Sequence, residues 1–274
     1  MAYKRILTIQ DISCVGQCSM TVALPILSAC GHETCILPTA LLSTHTGGFG
    51  KPEVIHFDDA LKGIVEHWKR NEILFDAILV GYLGTVPAVH IAGQIMDTML
   101  APGGIIIVDP AFADHGKRYS GLTEEYAREM EDLCRRADII LPNVTEAAMF
   151  ADREYCEKIT EEYVSGLLDS LDHPCVVLTG TGYEENLTGV TVRDAEKRSL
   201  YSHPKIGKSF HGTGDMFAAC FTGALMSGKS KLEAARIAAG FVCKAIEKTV
   251  ENPAHWYGIK FEQALPELIR QLQE

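Results

Sequence analysis

Short apolar runs rich in β-branched residues alternate along this chain with longer stretches of helical pattern, and that alternation limits the fold more than any other feature. The runs Arg5–Gln10, Thr34–Pro38, Ala77–Val80, Ile105–Val108, Ile139–Leu141 and Val176–Thr179 are each bounded by Gly, Pro, Asp or Asn. Runs that are apolar throughout suit strands covered on both faces. Between them Met20–Cys30, Asp58–Asn71, Val89–Leu100, Thr123–Ala137 and Glu161–Leu171 carry helical spacing. The pattern predicts a mostly parallel sheet with helices on both faces and right-handed crossovers. After Thr179 it changes: Gly189–Arg193 and Ser199–His203 read as a hairpin, followed by helices over about Gly214–Met226 and Leu232–Glu247. No repeat, low-complexity tract or long polar linker intervenes, so residues 1–274 are expected to form a single doubly wound α/β domain.

Composition narrows the partners. Lys and Arg number 25 against 36 Asp and Glu, a net charge of −11. An acidic surface repels a phosphate backbone, which argues against nucleic acid. It does not forbid an anionic ligand, because backbone N–H groups bind phosphate inside negative proteins. No apolar run approaches the ~18 residues of a membrane helix. The apolar stretch after Met1–Arg5 spans only Ile6–Ile9, too short for a signal peptide, so a cytoplasmic protein is expected. The nine cysteines form no CxxC pair; Cys14 and Cys18, four apart, suggest at most a shared helical face. They read as small buried hydrophobes in a reducing compartment.

In an open parallel sheet, ligands sit beyond the carboxyl ends of the strands. Polar clusters follow five of the runs. Ser13 lies just past the first, in Gln10-Asp11-Ile12-Ser13; Ser43-Thr44-His45-Thr46-Gly47-Gly48 follows the second; Gly81-Tyr82, Asp109-Pro110, and Asn143 with Glu146 follow the next three. Each alone would serve as a turn or helix cap. Together they mark one rim of the sheet as a site.

The sharpest local signal is His211-Gly212-Thr213-Gly214-Asp215 before the small, apolar Met216-Phe217-Ala218-Ala219-Cys220. Two glycines one residue apart let successive N–H groups converge, and the helix that follows adds its positive end. The result is an anion hole for a phosphoryl group, with Asp215 beside it to accept a hydroxyl proton. The plainer alternative is a tight turn capped by Asp215. The segment is neither a Walker A loop, lacking Gly-Lys-Ser/Thr, nor an early dinucleotide fingerprint. Asn143-Val144-Thr145-Glu146 offers hard oxygen ligands suited to Mg²⁺, and equally a capping box. Asp109 and Asp114 could hold a cation or water near phosphates, or be two solvated acids. His45, between two threonines, could contact an aromatic hydroxyl or ring nitrogen, or be an ordinary loop histidine.

This constellation, GTGD before a small-residue helix with NxxE and DPxxxD earlier, resembles the ribokinase-like superfamily of small-molecule kinases over nearly the full length. Ile9-Gln10 ending the first run, His45-Thr46-Gly47 after the second and Gly81-Tyr82 after the third are similar to the pyridoxal kinase branch. The resemblance implies ATP-dependent phosphorylation of the 5′-hydroxyl of a vitamin B6 vitamer, in a homodimer without a separate lid. It implies Asp215 as catalytic base with Gly212, Thr213 and Gly214 as anion hole. Thr46, Tyr82, His45 and either Asp11 or Ser13 would meet the vitamer. Asp109, Asn143 and Thr179 would lie near the nucleotide. Glu146, Asn143 and Asp114 would serve Mg²⁺, with K⁺ or Na⁺ as a further cation. Departures are Asp11-Ile12-Ser13 where the branch usually has Ser-His-Val, Leu141 for a threonine, and His211 for a small residue. The rivals are a hydroxymethylpyrimidine kinase, whose usual Gly- and Ser-rich stretch after the first strand is missing, and a non-catalytic nucleotide or vitamin sensor, which would not need Asp215.

Overall fold

The computed structural model describes residues 3–207, 210–252 and 254–273. In chain order it runs β1 (Arg5–Ser13), α1 (Met20–Ala29), β2 (Glu33–Leu42), β3 (Val54–His56), α2 (Asp58–Arg70), β4 (Phe75–Val80), α3 (Val86–Thr98) and β5 (Leu100–Val108). It continues with β6 (Ala113–Asp114), β7 (Lys117–Arg118), α4 (Glu124–Cys134), β8 (Ile139–Ile140), α5 (Val144–Phe150), α6 (Glu161–Ser170) and β9 (Cys175–Thr179). The hairpin β10 (Leu187–Asp194) and β11 (Lys197–Pro204) precedes α7 (Thr213–Met226), α8 (Lys231–Val250) and α9 (Leu265–Gln273).

Nine strands form one sheet in the order β11-β10-β9-β8-β5-β4-β1-β2-β3. The pairings from β2 across to β9 are parallel; β3 and β10 are added antiparallel, and β11 pairs antiparallel with β10. The expected doubly wound α/β sheet is therefore present. Alternation along each strand feeds two cores. Val80, Ile106 and Val108 face α2 to α6, whereas Ala77, Leu79 and Ile107 face α1, α7, α8 and α9. Apolar residues thus point both ways from each central strand, which is why those strands read as unbroken apolar runs.

Several elements depart from expectation. β3 is only three residues long and all of them are exposed, so it carries no burial pattern. The β6–β7 hairpin has two residues per strand. α9 buries only Leu268 and Leu272. α3 begins three residues earlier than the apolar spacing suggests, because Thr85 caps it through the Ala88 N–H. Cys14 and Cys18 share no helical face; both lie in the loop between β1 and α1. Among the described residues, no helix is long and apolar enough to cross a membrane.

The feature that places the site is the reversal of strand order at β1, which lies between β2 and β4. Such a reversal opens a crevice at the carboxyl end of the strands. There β1 also outlasts its apolar run, continuing through Ser13. Thr39 and Ala40 of β2 stand opposite Asp11 alone, a bulge just after Pro38. Proline has no N–H for the ladder and is tolerated at such an irregularity, and the bulge re-aims the strand end.

Candidate active site

α7 opens differently from most of its neighbours. Helices α3, α4, α5, α6 and α8 each start with a Thr, Asn or Ser whose side chain accepts a backbone N–H. α7 starts at Gly212, with φ 84° and no side-chain cap. Its first-turn N–H groups therefore face the crevice instead of a capping oxygen. Gly212 also touches the β1–α1 loop so closely that a Cβ there would stand 2.3 Å from the Gln17 carbonyl oxygen. Thr213 turns its hydroxyl back onto the Phe210 carbonyl at 3.2 Å. Gly214 is exposed, and a Cβ there would point toward Asp109, with Oδ2 3.9 Å away.

Asp215, in the first turn of α7, is half-buried and accepts the Ser19 backbone N–H. Ser19 holds φ 48°, a left-handed conformation, in a loop where Gly16 and Gln17 also have positive φ. Burial raises the Asp215 carboxyl above its ordinary range despite that N–H. The helix end alone would predict the opposite direction, so desolvation is the larger effect here.

Three more carboxylates share this rim. Asp11 is 3% exposed, accepts a hydroxyl bond from Ser13 at 3.3 Å and another from Ser19, and faces Asp215; burial, then Asp215, lifts it to about 6. Asp109 follows β5 directly, accepts the Ala111 N–H, and is driven well up by burial and by Glu146 and Asp215. Glu146 is 1% exposed and raised to about 7 by burial, although three N–H groups hold it. Phe112 and Ala113 donate to Oε1 at 2.9 and 3.3 Å, and Asn143 donates to Oε2 at 2.9 Å. The Asn143 side chain is committed at both ends, accepting the Glu146 N–H at 3.0 Å and donating to the Ala113 carbonyl at 2.7 Å. The capping box is thus real, and it also anchors the loop that carries Asp109.

Other expected residues are placed less uniformly. Thr179 ends β9 beside Asn143 and donates its N–H to the Pro142 carbonyl at 3.0 Å. Tyr82 is half-buried near Asp11, which together with burial raises its phenol. Ser13 is not past β1 but is its last residue, fully buried. Asp114 is exposed in β6, where it accepts the His115 N–H while adding its negative field to Glu146. Thr46 is exposed.

His45 is buried, and its Nδ1 accepts the Gly47 N–H at 2.8 Å. Its ring lies 4.9 Å from that of His211 and 5.2 Å from that of Phe49, which continues to Trp256 at 4.7 Å and Tyr257 at 5.7 Å. A Cβ at Gly16 would meet His45 Cδ2 at 1.8 Å, so only glycine fits beneath that ring. Sequence reasoning misses this aromatic layer because its members are some two hundred residues apart. It also misses the Ser19 N–H, since a backbone donor leaves no mark in composition. The Trp256-Tyr257-Gly258 cluster is the one available hint.

Among the described residues, no group of three or more His, Cys, Asp or Glu is pre-arranged around a metal position. Yet Asp109, Glu146 and Asp215 lie close enough on one rim to interact, and burial raises each carboxyl. That donor chemistry fits a hard divalent cation brought in with a nucleotide.

A doubly wound sheet with a glycine-opened helix and an aspartate at its switch point defines a small-molecule kinase of the ribokinase-like superfamily. More narrowly, the chain belongs to the phosphomethylpyrimidine kinase family, whose sequence pattern matches residues 27–258, and stands in its pyridoxal kinase branch. A Bacteroides thetaiotaomicron protein described as a phosphomethylpyrimidine kinase, crystallised in one form with pyridoxal, is 32% identical with a TM-score of 0.90, covering 97% of this chain and 96% of that one. Pyridoxal kinase from Lactobacillus plantarum is 29% identical at a TM-score of 0.89, covering 98% of both chains. The pyridoxine/pyridoxal/pyridoxamine kinase of Bordetella avium is 26% identical over 258 residues, 89% of this chain and 85% of that protein.

Proposed function

We propose that this protein transfers the γ-phosphoryl group of ATP to the 5′-hydroxyl of a vitamin B6 vitamer: pyridoxal, pyridoxamine or pyridoxine. The observation that carries the reading is the uncapped, glycine-opened start of α7 with Asp215 in its first turn, close enough to Asp11 and Asp109 for their charges to interact. The hydroxyl oxygen attacks phosphorus, the bond from phosphorus to the ADP oxygen breaks, and the hydroxyl proton passes to Asp215. In a loose transition state that proton becomes acidic only as the new P–O bond forms, so a carboxylate suffices as a late acceptor. Its raised affinity for protons suits that role. The N–H groups from Gly212 to Gly214 stabilise charge on the transferring group.

Glu146, with Asp109 and Asp114, is the proposed Mg²⁺ neighbourhood. Glu146 already accepts three N–H groups, so its contact would run through water, and Asn143 acts mainly as the frame that holds it. When bound, Mg²⁺ would neutralise phosphate charge. Thr179 lies on the nucleotide side; Tyr82, Thr46, His45, Asp11 and Ser13 lie on the vitamer side. The chain is proposed to act as one kinase domain, as a homodimer in the cytoplasm.

Hydroxymethylpyrimidine phosphorylation is the second reading, favoured by the family's pyrimidine kinases. A coupled assay with ATP, Mg²⁺, the three vitamers and hydroxymethylpyrimidine separates them. At least one vitamer should show the higher kcat/KM; a panel in which the pyrimidine wins overturns the B6 reading.

A further inference from the structure

Asp11 is the rim carboxylate whose place is least explained by the protein around it. Glu146 accepts three backbone N–H groups, Asp109 accepts that of Ala111, and Asp215 accepts that of Ser19. The external bonds to Asp11 come from two hydroxyls, those of Ser13 and Ser19. Among the described residues no Lys, Arg or His forms an ion pair with it, and its charged neighbour is another carboxylate, Asp215. A carboxylate buried to 3% exposure without a cationic partner is costly to keep, and an Asn of similar size or a smaller Ser would avoid the cost. The fold nevertheless sets it opposite the β2 bulge at the switch point, near enough to Asp215 and Tyr82 for their charges to interact. The missing partner is one that arrives with a ligand.

Ring chemistry indicates which part of the ligand that is. On a B6 ring, the carbon next to the one bearing the 5′-hydroxymethyl group carries an aldehyde, a hydroxymethyl or an aminomethyl substituent. With the 5′-hydroxyl at Asp215, that neighbouring substituent comes to the next carboxylate, Asp11. We infer that Asp11 selects acceptors bearing an N–H donor, foremost an ammonium, on the ring carbon beside the reacting hydroxymethyl group, so that pyridoxamine is the preferred vitamer. Hydroxymethylpyrimidine carries an amino group at the corresponding ring position, and the same carboxylate would accept from it. The inference rests on the kinase reading above and adds the substrate feature that its acceptor side reads.

A site built around a buried polar group discriminates strongly against ligands that leave the group unpaired. For a charge-assisted bond at the crevice, kcat/KM for pyridoxamine should exceed that for pyridoxine by about 10-fold or more. The test measures kcat/KM for pyridoxamine, pyridoxine and pyridoxal with the wild-type protein, Asp11→Asn and Asp11→Ser, with calorimetric affinity for pyridoxamine and pyridoxine alongside. Asn keeps an oxygen for the serine hydroxyls, and Ser provides a second, smaller variant should Asn fail to fold. The expected result is a pyridoxamine-to-pyridoxine ratio that falls at least about 10-fold in both variants, mostly through KM. An equal ratio in wild type and variants, or a wild-type preference for pyridoxal, overturns the role of Asp11 and leaves the kinase reading standing. If hydroxymethylpyrimidine is phosphorylated and no vitamer is, the B6 reading falls instead. The same variants are then compared on the pyrimidine and its deaminated analogue, and unchanged discrimination again refutes Asp11.

Discussion

Replacing Gly212 by alanine is the cleanest perturbation of the anion hole, because its two costs can be separated. The first is backbone strain. At φ 84° an L side chain is disfavoured by about 1–2 kcal/mol. The second is displacement. The new Cβ would stand 2.3 Å from the Gln17 carbonyl oxygen, whereas carbon and oxygen in contact usually lie about 3.3–3.6 Å apart. Either the β1–α1 loop or the start of α7 must move by about 1 Å, and misplacements of that size at reacting groups cost on the order of 10²-fold in rate. Gly228→Ala is the control: it has φ 94° but open space around the new methyl group, so it carries strain without displacement. Gly214→Ala is the opposite case, helical in φ, with a methyl group pointing into the space before Asp109. Thermal unfolding and steady-state kinetics on all three give a distinct pattern. Gly228→Ala should lose stability and keep kcat, Gly212→Ala should lose both, with kcat down about 10²-fold, and Gly214→Ala should keep its stability while its nucleotide KM rises. A Gly212→Ala protein that matches Gly228→Ala in both melting temperature and kcat would refute the anion hole.

Asp215→Asn keeps the shape and one acceptor oxygen but removes the proton acceptor, so kcat should fall by about 10²–10⁴-fold while nucleotide affinity survives; retention of more than about a tenth of kcat excludes an essential base. Glu146→Gln presents an NH₂ group to backbone donors at 2.9 Å, so it should destabilise the protein by about 1–3 kcal/mol and also raise the Mg²⁺ concentration for half-maximal rate. A drop in stability with an unchanged Mg²⁺ titration would leave only the capping role. The pH dependence of the unliganded protein follows from Glu146 and Asp11, whose folded values of about 7 and about 6 exceed the ordinary 4.5 and 3.8. The folded chain then binds more protons than the unfolded one, so stability should rise as pH falls from 8 to 6.5, by ~1 kcal/mol or roughly 2–4 °C in Tm from Glu146 alone. Below that, the lowered pKa values of buried His32, His45 and His173 act in the opposite sense. A flat profile from pH 8 to 6.5, or one unaltered by Glu146→Gln, refutes the assignment.

The central strands were legible because burial on both faces writes itself into consecutive residues. Val176–Val177–Leu178 is fully buried, with residues supplied to both cores. β3 was illegible for the converse reason, and α9 because its apolar face is two residues wide. The glycines and Asp215 announce themselves locally, since a tight turn into a helix demands particular residues in adjacent positions. Asn143 and Glu146 satisfied both of the readings open to them, because one carboxylate can cap a helix and still offer its field to a cation. What no local pattern reveals is the reversed direction of the Asp215 shift. That depends on desolvation by segments distant in sequence.

The aromatic layer has a consequence for the order in which the protein is made. β1, α1 and the loop carrying His45 leave the ribosome before the segments they meet and can begin to pack while the chain grows. Their partners at the crevice, His211, Trp256 and Tyr257, lie far downstream in the sequence, and Gln17 finds Glu262 at 2.5 Å and His255 at 3.4 Å. A nascent chain that already holds most of its sheet therefore has a half-built crevice, with the Gly16 loop and the His45 ring lacking the segment that closes over them. Nucleotide cannot be held at the anion hole until α7 emerges, and the layer is complete only once Trp256 and Tyr257 have followed it. The chain thus stays unable to commit ATP while its fold is still incomplete.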